Sequence, residues 1–461
     1  MSESTTKSMR PTISGALADF TTDYRPSNAA SEALLKSAVD TIGCMIAGYR
    51  EPLCDALRPL AAQTNGACAV LGTPDRASPA DAAMVMGSAA HALDLDDYDV
   101  RSGGHPGVAI IPAAMAIGMA SGASGAEVLA GIGAGYEAMF LLGLGFQKEA
   151  YQAGQHPTGT FGVMGAALAA GRVLGLDARR LRHALGIALA QSSGARANFG
   201  TMAKPFQAGN AARCGVLSAQ LAQRGMTAAD DPIGDPAGLV NLGVGSAQRE
   251  AVLERMQQML PRLGHFLDEA PPSIKLHAAC GSTHGAIDAA LELRDAAMPL
   301  EGIRDIQVNV PPVYMQTLVY PRARTGLEAK FSLEHSIALA LWYGDGFRAR
   351  YAEDAFAPPA VLRLRELVRM EKDPELQRIR DEQKCLPARL AIRTASGEHR
   401  TQVLHPLGSS GRPLDWAGVT AKFDSIASDL PADQRARVVD LLRNLPSLKN
   451  LAALEPALRP I

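Results

Sequence analysis

Between Ser31 and about Arg262 the chain consists largely of Ala, Gly, Leu, Met and Val, in segments of helical length such as "SEALLKSAVDTIGCMIAG" and "NAARCGVLSAQLAQRG". Alanine-rich segments favour helix, and glycine at their ends is a common stop. In "GASGAEVLAGIGAGYEAMFLLG" small residues recur at helical spacing, which lets neighbouring backbones approach closely. Packing accounts for these glycines better than a phosphate loop does, because no strand precedes them and no G-x-x-x-x-G-K-[ST] motif occurs. A large buried helical core is therefore expected, and 461 residues are ample to build one.

The character changes near Pro271. "IRDIQVNVPPVYMQTLVY" (303–320) is rich in β-branched and aromatic residues, and "ARLAIRTASGEHRTQVLHP" (388–406) reads as two alternating strands about a Ser-Gly turn. Two helical stretches, "SLEHSIALALWYGDG" and "PPAVLRLRELVRMEKD", lie between them, so 271–405 reads as a compact α+β unit. After "GSSGRPLDW" the pattern is helical again through "DQRARVVDLLRNL". The expected class is mainly α: a large all-helical domain from 1–270 and 406–461, with a smaller α+β domain inserted at 271–405. The first dozen residues read as a flexible tail.

Forty-five Lys and Arg against 47 Asp and Glu leave a net charge of −2, which gives no electrostatic case for a nucleic-acid partner. Cys44, Cys54, Cys68, Cys214, Cys280 and Cys385 are scattered with no C-x-x-C pair, and "MSESTTKSMRPTISGALADF" has no secretory character, so a cytoplasmic location is expected. The apolar region from Pro106 to Phe146 is interrupted by Glu127, Glu137 and many glycines and serines. It reads as buried core helices, with no membrane partner expected.

"HALDLDDYDVRSGGHP" (91–106) concentrates four aspartates and two histidines. An EF-hand loop starting at Asp94 would need glycine and glutamate where Asp99 and His105 stand. A Mg²⁺-dependent prenyl-type enzyme, a reading from a different class, would need a second acidic cluster facing the first, and the helical region has none. Asp96, Asp97 and Asp99 read otherwise as caps of backbone donors or as solvent-facing groups. His105 precedes Pro106, a residue suited to the first turn of a helix, and an imidazole at a helix N-terminus tends to be neutral and able to act as base or donor. "GQHPTGTFGVMGAALAAG" repeats the design with His156, Thr158 and Thr160. Lys204 stands in "AKPFQAGNAARCG", and "SIKLHAACGSTHGAIDAALEL" adds Lys275, His277, Cys280, Ser282, Thr283 and His284. Four helix starts with imidazoles, ammonium groups, hydroxyls and N–H donors suit a small anion carrying several carboxylates. Lysines would hold its carboxylates, and a histidine or aspartate would move a proton at an adjacent carbon, with no cofactor. His183, His265, His335, His399 and His405 read as surface or core residues.

Taken in order, "HALDLDDYD", "GGHPG", "HPTGT", "KPFQAGNAA", "ACGSTHGAIDAA", "TGLEAKFSLEHSIALAL" and "GRPLDW" resemble the MmgE/PrpD family, which includes 2-methylcitrate dehydratases, cis-aconitate decarboxylases and iminodisuccinate epimerases. The resemblance implies an all-helical domain with an α+β lid, a homodimer, and an active site between the domains that uses neither metal nor organic cofactor. It places the catalytic roles on Asp94, His105, His156, Lys204 and Lys275, with Tyr98, Thr158, Cys280 and Ser282 against the substrate. Both lysines would bind carboxylates, His105 or His156 would exchange the proton, and Asp94 would orient one of them. Tyr98 stands where decarboxylases have threonine. Cys280 stands where they have histidine, as in dehydratase-like members. The activity implied first is therefore a 2-methylcitrate dehydratase-like hydro-lyase, with a cis-aconitate decarboxylase or iminodisuccinate epimerase next and a non-catalytic carboxylate binder last.

Overall fold

Serine hydroxyls start three of the core helices: Ser27 accepts from Ala30 N, Ser78 from Asp81 N and Ser124 from Glu127 N. Each satisfies one of the orphan donors of a first turn. In the computed structural model, which describes residues 11–458 apart from 65, 67, 72, 296–299, 346–350 and 352–357, these helices are α1 (Asn28–Gly48), α2 (Pro79–Ala92) and α4 (Gly125–Gln152). Most of the expected N-terminal tail, residues 1–10, lies outside the described residues. Helices α3 (Pro106–Ser121), α5 (Gly162–Val173) and α6 (Ala203–Gln223) complete the centre of the helical core.

The glycines act in packing, as expected. A Cβ on Gly135 of α4 would lie 2.7 Å from Gly165 O of α5, and one on Gly209 of α6 would lie 2.3 Å from Met84 O of α2. Both distances are below contact, so a larger residue would force the helices apart. Helix α4 is long and apolar enough to cross a membrane by length and composition, yet it lies almost wholly inside the protein. Its buried Glu137 accepts the backbone N–H groups of Gly264, Phe266 and Leu267.

Beyond Pro271 come α7 (Gly281–Asp295), β1 (Asp305–Val310), α8 (Leu333–Tyr343), α9 (Pro359–Leu367), β2 (Val368–Lys372), α10 (Pro374–Gln383), β3 (Ala388–Arg393), β4 (Glu398–Val403) and α11 (Trp416–Ile426). The sheet order is β2-β1-β3-β4, with β1 and β2 parallel and the other pairs antiparallel. The expected β3–β4 hairpin is present, closed by Thr394 N donating to Gly397 O. Two expectations are corrected. The strand at 303–320 stops at Val310, because Pro311 and Pro312 lack the N–H a ladder needs and the chain turns into a short 3₁₀ segment. "VRMEK", expected to continue a helix, is instead the parallel edge strand β2, with Ile306 opposite Val368.

The buried apolar residues form two clusters. One runs from Ile13 to Ile274 and regains Val419 to Leu458; the other runs from Ala278 to Val403 and adds Cys44, Ala47, Leu93, Leu95, Tyr98 and Ile426. The segment after α2 thus leaves one core and anchors in the other, which puts "HALDLDDYDVRSGGHP" where the two meet.

Candidate active site

At the end of α2 the chain turns sharply because Asp94 takes φ +53°, a left-handed conformation that aspartate tolerates better than most residues. The turn is held from the far side. Lys275 Nζ donates to Asp94 O at 2.9 Å and to Asp94 Oδ1 at 2.6 Å, while Lys204 Nζ lies 3.0 Å from the same Oδ1. Burial alone would raise the Asp94 carboxyl, but the two ammonium groups more than reverse this and hold it well below the usual range.

Asp96 is fully buried between two imidazoles, with His91 Nδ1 2.9 Å from Oδ1 and His105 Nδ1 2.8 Å from Oδ2. The far nitrogen of His91, Nε2, is 2.9 Å from Lys204 Nζ. His105 stands just before Pro106 at the start of α3, its backbone N–H donating to Thr158 Oγ1 at 3.1 Å. His156 likewise precedes the single turn Pro157–Thr160, with its ring centroid 6.2 Å from that of His91 and 5.1 Å from that of Phe199. Burial lowers all three imidazoles, and nearby lysines add to it: His91 falls to about 3, His105 lies below its ordinary value and His156 well below. In the free protein they are neutral near pH 7.

These groups face a cavity of about 820 Å³. Asp94, His105, His156 and Lys204 line it, as do Tyr98, Cys280 and Ser282, with Phe199 and Phe331 as apolar wall. Seven of the nine residues singled out in the sequence therefore meet at one place. The other two stand behind the wall. Thr158 accepts from the His105 backbone N–H, and Lys275, expected to grip a substrate carboxylate, is wholly buried with its ammonium on Asp94.

Two further corrections concern the aspartates. Asp94 Oδ1 is 3.9 Å from His105 Nε2, too far for a hydrogen bond, whereas His105 Nδ1 lies 2.8 Å from Asp96 Oδ2 and 3.0 Å from Asp97 O. Asp96, Asp97 and Asp99 do not face water, since all three are buried. The capping half of that expectation holds, with Asp97 Oδ1 accepting Gly107 N and Asp99 Oδ1 accepting Arg101 N. His91 and Asp96 were missed as functional residues; the one available signal was their presence in the same polar stretch.

His91, Asp94, Asp96 and His105 offer ligand atoms within 4.8 Å of one another, near enough to surround a cation. Their chemistry fits one poorly. Two ammonium groups already sit on Asp94 Oδ1, and Lys204 also occupies the lone pair of His91 Nε2. Of the remaining aspartates of the stretch, Asp97 takes Tyr136 OH, and Asp99, which also lines the cavity, is already engaged by Arg101, so neither is free to grip a diphosphate through a cation.

Burial, with nearby Asp96 adding to it, pushes the Asp97 carboxyl up to about 8 against the opposing hydrogen bonds from Tyr136 and Gly107. An unfolded aspartate titrates near ~3.9, so across roughly pH 4 to 8 the folded state holds a proton that the unfolded state has lost, and stability falls as pH rises. Asp97→Asn keeps an acceptor for Gly107 N and a donor for Tyr136. Thermal unfolding of this variant is expected to lose that part of the pH dependence, with the largest gain over wild type near pH 8; an unaltered profile would show that Asp97 is ionised throughout.

A mainly helical chain with a small mixed sheet, whose lysine, aspartate and paired His-Pro motifs share one cavity, defines the class, and the chain belongs to the MmgE/PrpD family. The MmgE/PrpD N-terminal domain matches residues 15–251 and the MmgE/PrpD C-terminal domain residues 277–445. Among curated relatives, the chain is 26% identical over 441 residues to a cis-aconitate decarboxylase of Aspergillus terreus, an alignment covering 90% of this chain and 89% of that one. It is 27% identical over 413 residues to the Homo sapiens cis-aconitate decarboxylase, covering 86% and 83%, and 29% identical over 329 residues to that of Mus musculus, covering 68% and 65%.

Proposed function

We propose that this protein is a lyase that removes carbon dioxide from a small unsaturated tricarboxylate of the cis-aconitate type, using its own side chains. The observation that carries the reading is one cavity wall holding the Lys204 ammonium beside the neutral imidazoles of His105 and His156. The relatives named cis-aconitate decarboxylases favour carbon dioxide loss over the hydro-lyase activity expected first.

In such a reaction the bond to the departing carboxyl breaks and its electron pair becomes a new C=C bond. The electrons of the original double bond then take a proton at the carbon beside a remaining carboxylate. Lys204 is placed to hold that carboxylate as charge develops on it, a role for fixed cations in a water-poor site. The proton comes from an imidazole. His105 and His156, neutral in the free site, are raised by an arriving trianion, so that one enters the complex protonated and discharges onto carbon.

Cys280 supports a second reading. It lines the cavity, and the family resemblance sets it where decarboxylases have histidine, which implies a wall unlike theirs at that point. Dehydration of a 2-methylcitrate-like acid is therefore the alternative. EDTA-treated protein is incubated in D₂O with cis-aconitate, 2-methylcitrate, citrate and iminodisuccinate, each followed by NMR. Decarboxylation of cis-aconitate with one deuterium entering the product is expected, unaffected by the chelator. Water loss from 2-methylcitrate alone selects the second reading, and turnover of none of the four overturns both.

A further inference from the structure

Lys204, His91, Asp96 and His105 form an unbroken chain of polar contacts: Lys204 Nζ to His91 Nε2 at 2.9 Å, His91 Nδ1 to Asp96 Oδ1 at 2.9 Å, and Asp96 Oδ2 to His105 Nδ1 at 2.8 Å. Only its two ends, Lys204 and His105, line the cavity. An ammonium group can only donate, so His91 Nε2 must accept. The single proton of neutral His91 is then on Nδ1, where it donates to Asp96. His105 Nδ1 faces two acceptors and no donor, Asp96 Oδ2 and Asp97 O at 3.0 Å, so it too carries its proton on Nδ1. The lone pair of His105 is thereby left on Nε2.

From this geometry we infer that His91 and Asp96 are positioning residues, which together fix the tautomer of His105 and the placement of the Lys204 ammonium, coupling the proton carrier of the site to its cation. The charged and titratable groups around His105 include Asp94, Asp96, Lys204, Lys275, His91 and His156, and among them Asp96 alone reaches Nδ1 with a side chain. His91 is buried and does not line this cavity, so its role is exercised through its neighbours. The same carboxylate–imidazole logic selects a tautomer in triad hydrolases and at metal-bound histidines. Here it is extended by one imidazole and ends on a lysine.

The tautomers are tested on the full-length protein labelled with ¹⁵N-histidine, an arm that needs no substrate. NMR is expected to show Nδ1–H for both His91 and His105 in the wild type. In Asp96→Asn the amide offers one acceptor and one donor. Lys204 keeps His91 on its tautomer, so the amide NH2 is turned toward His105 Nδ1 and only Asp97 O still favours a proton there; a gain of the Nε2–H form of His105 over the wild type is expected. Wild-type His105 carrying Nε2–H would overturn the inference outright.

The activity arm rests on the lyase reading above. Asp96→Asn is expected to lower kcat on the order of 10²-fold or more with KM near its wild-type value, the signature of a wrong tautomer in a formed site. His91→Gln can still accept from Lys204 and donate to Asp96, whereas His91→Leu can do neither. Glutamine is expected to retain most of the turnover and leucine to lose it, with circular dichroism showing both folded. Equal losses in the two would refute the relay. A wild type that turns over none of the substrates would defeat the functional reading while leaving the NMR result to decide this one.

Discussion

Lys204→Met is expected to lower kcat/KM for cis-aconitate by about 10²- to 10³-fold while the protein stays folded, which corresponds to the roughly 2.7–4 kcal/mol lost when a preorganised charge stabiliser is removed. The Nζ of Lys204 is the cation that the cavity presents beside Asp94 and His91. It also stands 5.7 Å from the ring centroid of Phe199 and 5.3 Å from that of Phe331, apolar neighbours that keep its field from being screened by water. Methionine retains the unbranched stem and most of the volume, so the wall is not hollowed out. The carboxylate of Asp94 is not orphaned either, because Lys275 remains 2.6 Å away. Steady-state kinetics and thermal unfolding together check the result. Turnover within a few-fold of wild type would remove Lys204 from the mechanism, and an unfolded product would make it a structural lysine.

What the sequence made legible followed from local chemistry. His105 and His156 could be placed at helix starts because Pro106 and Pro157 fix where those helices begin, and both occupy the position before the first turn. Gly135 declared itself as a packing residue through its small-residue spacing, and the structure adds Gly165 and Gly209 to it. Depth and partnership stayed hidden. Lys204 and Lys275 look alike as lysines ahead of small-residue helices, and only contacts spanning 113 and 181 residues make one a cavity wall and the other its backing. Asp96 was expected to face water or cap backbone because unpaired aspartates are almost never fully buried. Its burial is offset by two imidazoles, one from α2 and one from the loop before α3. Strand β2 was missed for a similar reason: "VRMEK" has little strand character of its own and is defined by the β1 edge it joins.

Lys275→Met is expected to reduce stability by about 3–5 kcal/mol, the range for breaking a buried ion pair from one side. Lys275 has no exposed surface, and its ammonium donates to both the carbonyl and the Oδ1 of Asp94, the residue whose left-handed backbone turns the chain into the site. Removing it leaves a buried carbonyl without that donor and a carboxylate, whose Oδ2 has no hydrogen-bond partner among the described residues, resting on Lys204 alone. Adding Asp94→Asn to Lys275→Met removes the orphaned charge and should recover part of the loss, so urea unfolding of the two single variants and the double gives the coupling directly. The acid limb supplies an independent sign. Asp94 is held well below its unfolded value in the wild type, so its contribution is fully present above about pH 4 and is lost only as pH falls through the depressed folded value. Without Lys275 that folded value moves upward. The Asp94 part of the acid-induced loss should therefore be smaller in the variant and finish at a higher pH than in the wild type, and an unmoved acid limb with a loss below about 1 kcal/mol would mean that Lys204 alone secures Asp94.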